Sequence, residues 1–322
     1  MRIVVIGGGV AGLVAARQLA PDHEVLVIDK GRSVGGRLAT RRIGDAVLDH
    51  GAQFFTVRGD AFRTQTADWV ERGVARVWCH GFHDRTDGHP RYVGIAGMNS
   101  LAKDLAAGLD CRCSTLAFTV RPDGDGWQVI ADDGHAEHAD AVVLTCPLQQ
   151  TWALLAESGI ELPTELMRTD YERTIGLLAV LDSPSAVPEP GGVQADPLDD
   201  APLFAFVADQ QAKGVSPVPA ITCLATASWS HTNWHRPIDQ LAPELCERAR
   251  GFIGDTAIVT AQVKKWRFAT PTSTWPDAAY IVPGRRIVLA GDAFAGPKVE
   301  GAFESGLAAA AALRAQSRSQ PD

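Results

Sequence analysis

The run Arg2–Ile6 passes directly into Gly7-Gly8-Gly9-Val10-Ala11-Gly12, and a strand followed by glycines at this spacing is the opening of a dinucleotide-binding βαβ unit. Gly7 permits the tight turn, Gly9 lets backbone approach a pyrophosphate, and Gly12 lets the next helix pack close to the strand. That Ala-rich helix would point its first N–H groups at the phosphates. Residues 25–29 read as the second parallel strand, ending on Asp29. An acid roughly 20 residues beyond the glycines accepts hydrogen bonds from the adenosine ribose hydroxyls and repels a 2′-phosphate. Gly-rich turns also serve ordinary strand-to-helix packing, so the signal lies in strand, helix and Asp29 falling in register.

Further along, the periodicity switches several times. Residues 98–109 read as a helix capped at Asn99, and 115–121 and 127–131 alternate as strands around Asp123-Gly124-Asp125-Gly126, a hairpin signal. Residues 139–146 are continuously apolar, as expected of a buried parallel strand rejoining the first sheet after a β-meander. Runs at 177–181, 203–207 and 221–228 look like strands of a second sheet, 183–202 reads as the least ordered stretch, and helical signal returns at 238–253. Residues 287–290 form a short buried strand before Gly291-Asp292-Ala293-Phe294 and a Gly- and Ala-rich helix. At 322 residues the chain is long enough for two domains, and its net charge of −8 gives no footprint for nucleic acid or an anionic membrane. Its 6 cysteines follow no metal or disulfide spacing, which with the absence of a secretory pattern or a long apolar run implies a cytoplasmic protein. His231 and His235 have the i, i+4 spacing of a zinc pair, but lack an intervening glutamate and a third ligand and read as a solvated pair; His80-Gly81-Phe82-His83 reads as loop or strand, and no metal site is expected.

Several segments resemble one family. Ser33-Val34-Gly35-Gly36-Arg37-Leu38-Ala39-Thr40 resembles the Gly-Gly-Arg-x-x-Thr segment of flavin amine oxidases. Asp49-His50-Gly51-Ala52-Gln53-Phe54-Phe55-Thr56, residues 92–98 and residues 291–302 resemble bacterial renalase-type proteins. The resemblance implies an α/β chain of the hydroxybenzoate hydroxylase and amine oxidase type: a Rossmann-like FAD-binding domain from 1–56, 92–157 and 262–322, and a mixed-sheet substrate domain from 57–91 and 158–261. Asp292, at the carboxyl edge of the sheet, could accept from a ribityl hydroxyl. The helix starting near Glu300 could face the pyrimidine end of the flavin, stabilising charge that develops on reduction by roughly 0.3–1 kcal/mol. A plain NAD dehydrogenase has no use for this second helix, although Gly301 and Gly306 also fit close helix packing alone. The FAD should be noncovalent, since no flavin-tethering cysteine motif lies near the C-terminus.

The implied cofactor residues are Gly7, Gly9, Val10, Ala11, Gly12, Asp29, Lys30, Gly36, Arg37, Ala52, Gln53, Phe54, Asp292, Val299, Glu300, Gly301 and Ala302. Arg37 could pair with the pyrophosphate, and Phe54 and Phe55 read equally as core aromatics. Substrate-contact candidates are Phe55, Lys264, Trp266, Phe268 and Lys298, with Lys264 standing where renalases often carry histidine. No side chain is assigned as a catalytic base. The implied activity is oxidation of isomeric dihydronicotinamides (α-NAD(P)H, or the 2- or 6-dihydro forms) to β-NAD(P)+, with O2 taking the electrons to give H2O2. Partners would be that dinucleotide and O2. The alternatives are an oxidase or desaturase of an amine or biosynthetic intermediate, and a redox-inert flavin-binding protein.

Overall fold

A computed structural model of the chain describes residues 1–82, 85–195 and 202–318. Arg2–Ile6 sits inside a six-stranded sheet because both its faces are apolar. It pairs in parallel with Glu24–Ile28 on one side and Ala141–Leu144 on the other. Asp110–Arg112 and Ile287–Leu289 extend the sheet outwards in parallel, and Tyr280–Ile281 closes one edge antiparallel. The first and last parts of the chain therefore share one sheet, with Ile6, Leu144 and Leu289 level at its carboxyl edge.

Side chains on successive residues of a strand point to opposite faces. Ile3 and Val5 pack under Val10–Leu19, Asn99–Leu105 and the C-terminal helix Val299–Arg318, while Val4 and Ile6 pack under the meander Ala117–Asp123, Gly126–Ala131 and Ala136–Ala139. The first and last helices approach closely because Gly306 carries no side chain. A Cβ there would lie 2.4 Å from the Ala11 carbonyl oxygen.

The second sheet is antiparallel, in the order Gly192–Gln194, Phe204–Asp209, Ala220–Ala225, Tyr171–Leu181, Ile258–Pro271. Ile175, Leu177 and Ala179 face the helix Ile238–Arg248 through Leu241 and Leu245. The opposite face, with Leu178 and Ala220, rests on Ala46 and Leu48 of the hairpin Thr40–Ile43 and Ala46–Asp49. That contact brings the second sheet over the carboxyl edge of the first.

Several expectations are corrected. The helix at 98–109 is Asn99–Leu105, with Met98 as its cap while Asn99 Nδ2 donates to the Val34 carbonyl. The apolar run 221–228 divides into Ala220–Ala225 and a helix, Ala227–Thr232, because the Thr226 hydroxyl accepts from Trp229 N and starts a turn. The expected helix at 238–253 is two, Ile238–Arg248 and Arg250–Ile253. Two packing features cross the expected domain division without testing it. Asp60–Glu71 sends Phe62 and Trp69, both fully buried, into the first core beside Phe303, and Ile258–Pro271 runs unbroken through the expected boundary at 262 because it pairs with Tyr171–Leu181. His83 and residues 196–201 of the expected irregular stretch lie outside the described residues. Among the described residues no helix is long and apolar enough to cross a membrane.

Candidate cofactor and substrate site

Gly7 takes a φ of +114°, which a side chain would strain, and turns the chain from strand to helix. A Cβ on Gly12 would lie 1.9 Å from the Gly7 carbonyl oxygen, so the turn and first helical residues interlock. Gly9 differs: a Cβ there would meet nothing within 4 Å. Open space therefore stands over a helix start whose first-turn amides, on Val10, Ala11 and Gly12, have no side-chain cap. Gly36 faces this space, its own Cβ position 3.5 Å from the Gly9 Cα, and Gly35 N donates to the Gly8 carbonyl. Asp29 closes the cradle with its two oxygens accepting from Gly8 N and Gly31 N, each at 2.6 Å, and exposed Lys30 follows it. Each carboxylate oxygen keeps a further acceptor position for a ribose hydroxyl.

Arg37 and Asp292 come together from opposite ends of the chain. The guanidinium donates to both Asp292 oxygens, at 2.5 and 2.6 Å, and to the Ala269 carbonyl at 3.2 Å. This fork matches the planar carboxylate and orients both groups. Arg37 also lies over the Tyr171 ring, 5.9 Å from its centroid. Burial pushes the Tyr171 phenol up, with the nearby Asp292 charge adding to it, so it stays protonated. The pairing shows Arg37 engaged with Asp292 rather than standing as a free surface arginine.

The strand Ile258–Pro271 supplies the opposing wall. Lys264 and Trp266 share one face, where Lys264 is level with Gly176 and Trp266 with Thr174, and Phe268 follows at an irregularity in the pairing. Trp266 stacks on His50 with centroids 5.4 Å apart and donates Nε1–H to the His50 carbonyl at 2.7 Å. Phe268 meets Tyr171 edge-on at 5.5 Å, and the Lys264 ammonium sits 5.4 Å from the Trp266 ring centre. Burial lowers the His50 pKa to about 4, and the charges of Lys264 and Arg41 add to this, so the imidazole is neutral at pH 7.

Other expected residues sit elsewhere. Phe55 is 3% exposed and packs on Phe62, Trp69 and Tyr92, so it is core and not a substrate contact. Phe54, its neighbour on extended backbone, points the other way into Trp78, Phe82 and Phe206. Gln53 turns inward: its Nε2 donates to the Asp49 and Gly51 carbonyls, which commits its side chain within the protein. Ala52 is half-buried, and its N–H donates to the Arg37 carbonyl. Glu300 is also committed, since Oε1 accepts from Arg58 N and Gly59 N and ties the C-terminal helix to the start of Asp60–Glu71. Val299 and Ala302 are half-buried beside it, Lys298 is exposed, and Gly301 fits against Gly296, where a Cβ would lie 2.2 Å from the carbonyl oxygen. Tyr171, His50 and the buried Lys213 carry no local sequence signal and were not among the expected site residues. Among the described residues no cluster of histidine, cysteine and carboxylate side chains could hold a metal ion.

A βαβ cradle at the carboxyl edge of a parallel sheet, roofed by an antiparallel sheet, defines a two-part dinucleotide-dependent oxidoreductase. Residues 5–66 match the NAD(P)-binding Rossmann-like domain, and 66–314 match the flavin containing amine oxidoreductase family. The chain belongs to that family, and its cofactor is FAD. The open space over Gly9 and the paired donors and acceptors around it fit this group, with the Val10–Gly12 amides for the phosphates and Asp29 for the ribose. A Mycobacterium tuberculosis protein described as a flavin-containing monoamine oxidase is 45% identical over 60 residues, 18% of this chain and 13% of its own. A coproporphyrinogen III oxidase of Mycobacterium leprae is 28% identical over 120 residues, 36% of this chain and 25% of its own. The chain thus aligns with a quarter or less of the length of these relatives. A solved structure described as a protoporphyrinogen oxidase from Exiguobacterium superposes with a TM-score of 0.74 over 99% of both chains at 14% identity, which shows a shared fold.

Proposed function

We propose that the protein oxidises isomeric dihydronicotinamides, α-NAD(P)H or the 2- and 6-dihydro forms, to β-NAD(P)+. The supporting observation is the cationic and aromatic set Lys264, Trp266 and Phe268, with Tyr171 against Phe268 and Arg37 over the Tyr171 ring. An anionic dinucleotide with a flat ring needs such a surface: charge to draw it in and rings to hold it. Lys264 and Arg41, whose charges add to the burial that keeps His50 neutral, would also attract such a substrate. FAD held by the Val10–Gly12 amides and Asp29 would supply the hydride acceptor, and the overall reaction would take the electron pair to O2 to give H2O2. The donor's ring nitrogen lone pair completes its aromatic ring as hydride leaves, so no general base is required. The chain's residues act by orientation: Arg37 and Asp292 fix one another, and Trp266 and Phe268 fix the plane a substrate ring can occupy. The six free cysteines support a reducing, cytoplasmic setting.

Amine oxidation is the second reading, favoured by the aromatic walls and by the description of the Mycobacterium tuberculosis relative. The Lys264 ammonium opposes a protonated amine at Trp266. Anaerobic stopped-flow mixing separates the two. We expect α-NADH or a 2- or 6-dihydro isomer to bleach the flavin about 10²-fold faster than β-NADH, the scale of a 1 Å misplacement of the reacting carbon. Equal, slow bleaching by every dinucleotide contradicts the proposal.

A further inference from the structure

Lys213 has no exposure, although it lies at the turn between Phe204–Asp209 and Ala220–Ala225. Its Nζ donates to Asp49 Oδ2 at 2.8 Å, and Asp49 is equally inaccessible. Burying two ions costs several kcal/mol each before their attraction is counted, and an apolar pair of similar volume is often as stable. Stability is therefore a poor account of this pair, whereas its geometry is specific. Asp49 Oδ1 accepts from Thr40 Oγ1 at 2.5 Å and from Met98 N at 2.8 Å. The Asp49 carbonyl accepts from Thr222 Oγ1 at 2.9 Å and Gln53 Nε2 at 2.8 Å. Gln53 Oε1 accepts from Gln210 Nε2 at 3.0 Å and Lys213 Nζ at 3.4 Å. The backbone from Asp49 to Gln53 is thus clamped by the hairpin, by the start of Asn99–Leu105 and by two segments of the second sheet.

The clamp reaches the cofactor side. Gly51 lies so close to Arg37 that a Cβ there would be 1.9 Å from its carbonyl oxygen, and Ala52 N donates to the same oxygen at 2.9 Å. Arg37 then holds Asp292. We propose that the Lys213–Asp49 ion pair is a positioning pair: it fixes the backbone of Gly51, Ala52 and Gln53, and through it Arg37, so that the second sheet sets the shape of the cofactor site. This rests on Ala52 and its neighbours forming part of the cofactor wall, and is independent of which donor is oxidised.

Lys213→Met alone leaves Asp49 as a buried unpaired charge, and is expected to compromise folding. The deciding variant is Asp49→Asn with Lys213→Met, which removes both charges and keeps an amide oxygen where Thr40 and Met98 N donate. We expect melting of the FAD-free protein to return close to wild type, while FAD binds about tenfold more weakly by titration and the visible flavin bands shift. Wild-type affinity and spectrum in that folded variant overturn the proposal. Should it fail to fold, Thr222→Val decides, because both charges remain: about threefold weaker FAD binding with the same band shift supports the proposal, and wild-type values overturn it. Ala52→Val tests the premise. If it leaves spectrum and affinity unchanged, the wall assignment fails; if it alters them while the double variant does not, the positioning role alone fails.

Discussion

The start of Val10–Leu19 and the strand Ile258–Pro271, linked through Gly36 beside Gly9 and Arg37 on the Ala269 carbonyl, are built by opposite means. The first offers backbone: uncapped amides, a glycine left open at Gly9 and a carboxylate tied to two further amides. The second offers side chains, namely an ammonium, an indole and a phenyl ring backed by His50 and Tyr171. Backbone recognises what every FAD has in common, its phosphates, whereas side chains can discriminate between donors. We therefore assign cofactor retention to the first region and donor choice to the second.

Substitutions in the glycine turn separate fold from binding and carry the largest effects. Gly12→Val collides with the Gly7 carbonyl and should unfold the cofactor half, seen as loss of the cooperative melt. Gly9→Val should melt normally without FAD, since a Cβ there meets nothing within 4 Å, yet yield colourless protein. A yellow Gly9→Val protein would remove the phosphates from this turn. Asp292→Ala comes next. It should weaken FAD binding by about 1.5–3 kcal/mol, and part of that loss arises because Arg37 is released. Titration of the FAD-free variant measures this, and unchanged affinity would show that the pair lies off the cofactor.

His50 gives a smaller, pH-dependent effect. Its folded pKa, about 4 against an ordinary 6.5, means that the unfolded chain binds the proton more readily between those values. The stability that neutral His50 contributes is present above pH 6.5 and is lost as pH falls through 4. His50→Phe keeps a ring on Trp266 and should flatten the fall in melting temperature across that window. An identical fall in both proteins would mean that the proton goes elsewhere.

The same contrast explains what could be read from the chain alone. Gly7, Gly9, Gly12 and Asp29 act within one βαβ unit, so their spacing carries their geometry. The second region is assembled from a distance: His50 meets Trp266 across 216 residues, Arg37 meets Asp292 across 255, and Asp49 meets Lys213 across 164. No local period encodes such pairs. Phe54 and Phe55 show the limit at its smallest scale. Adjacent on extended backbone, they point to opposite sides, and the sequence does not say which one enters the core. Position 262 lies inside the strand Ile258–Pro271, whose length is set by its pairing with Tyr171–Leu181, more than 75 residues away, and not by any local pattern.

The division of roles is tested most directly by measuring two quantities on Lys264→Ala: FAD affinity, and the anaerobic rate of flavin reduction by α-NADH at low and high salt. The account predicts FAD affinity within about twofold of wild type, and reduction slowed about tenfold at low ionic strength with a smaller difference at high ionic strength. Loss of FAD affinity in step with the reduction rate, or a reduction rate unchanged at low salt, would contradict it.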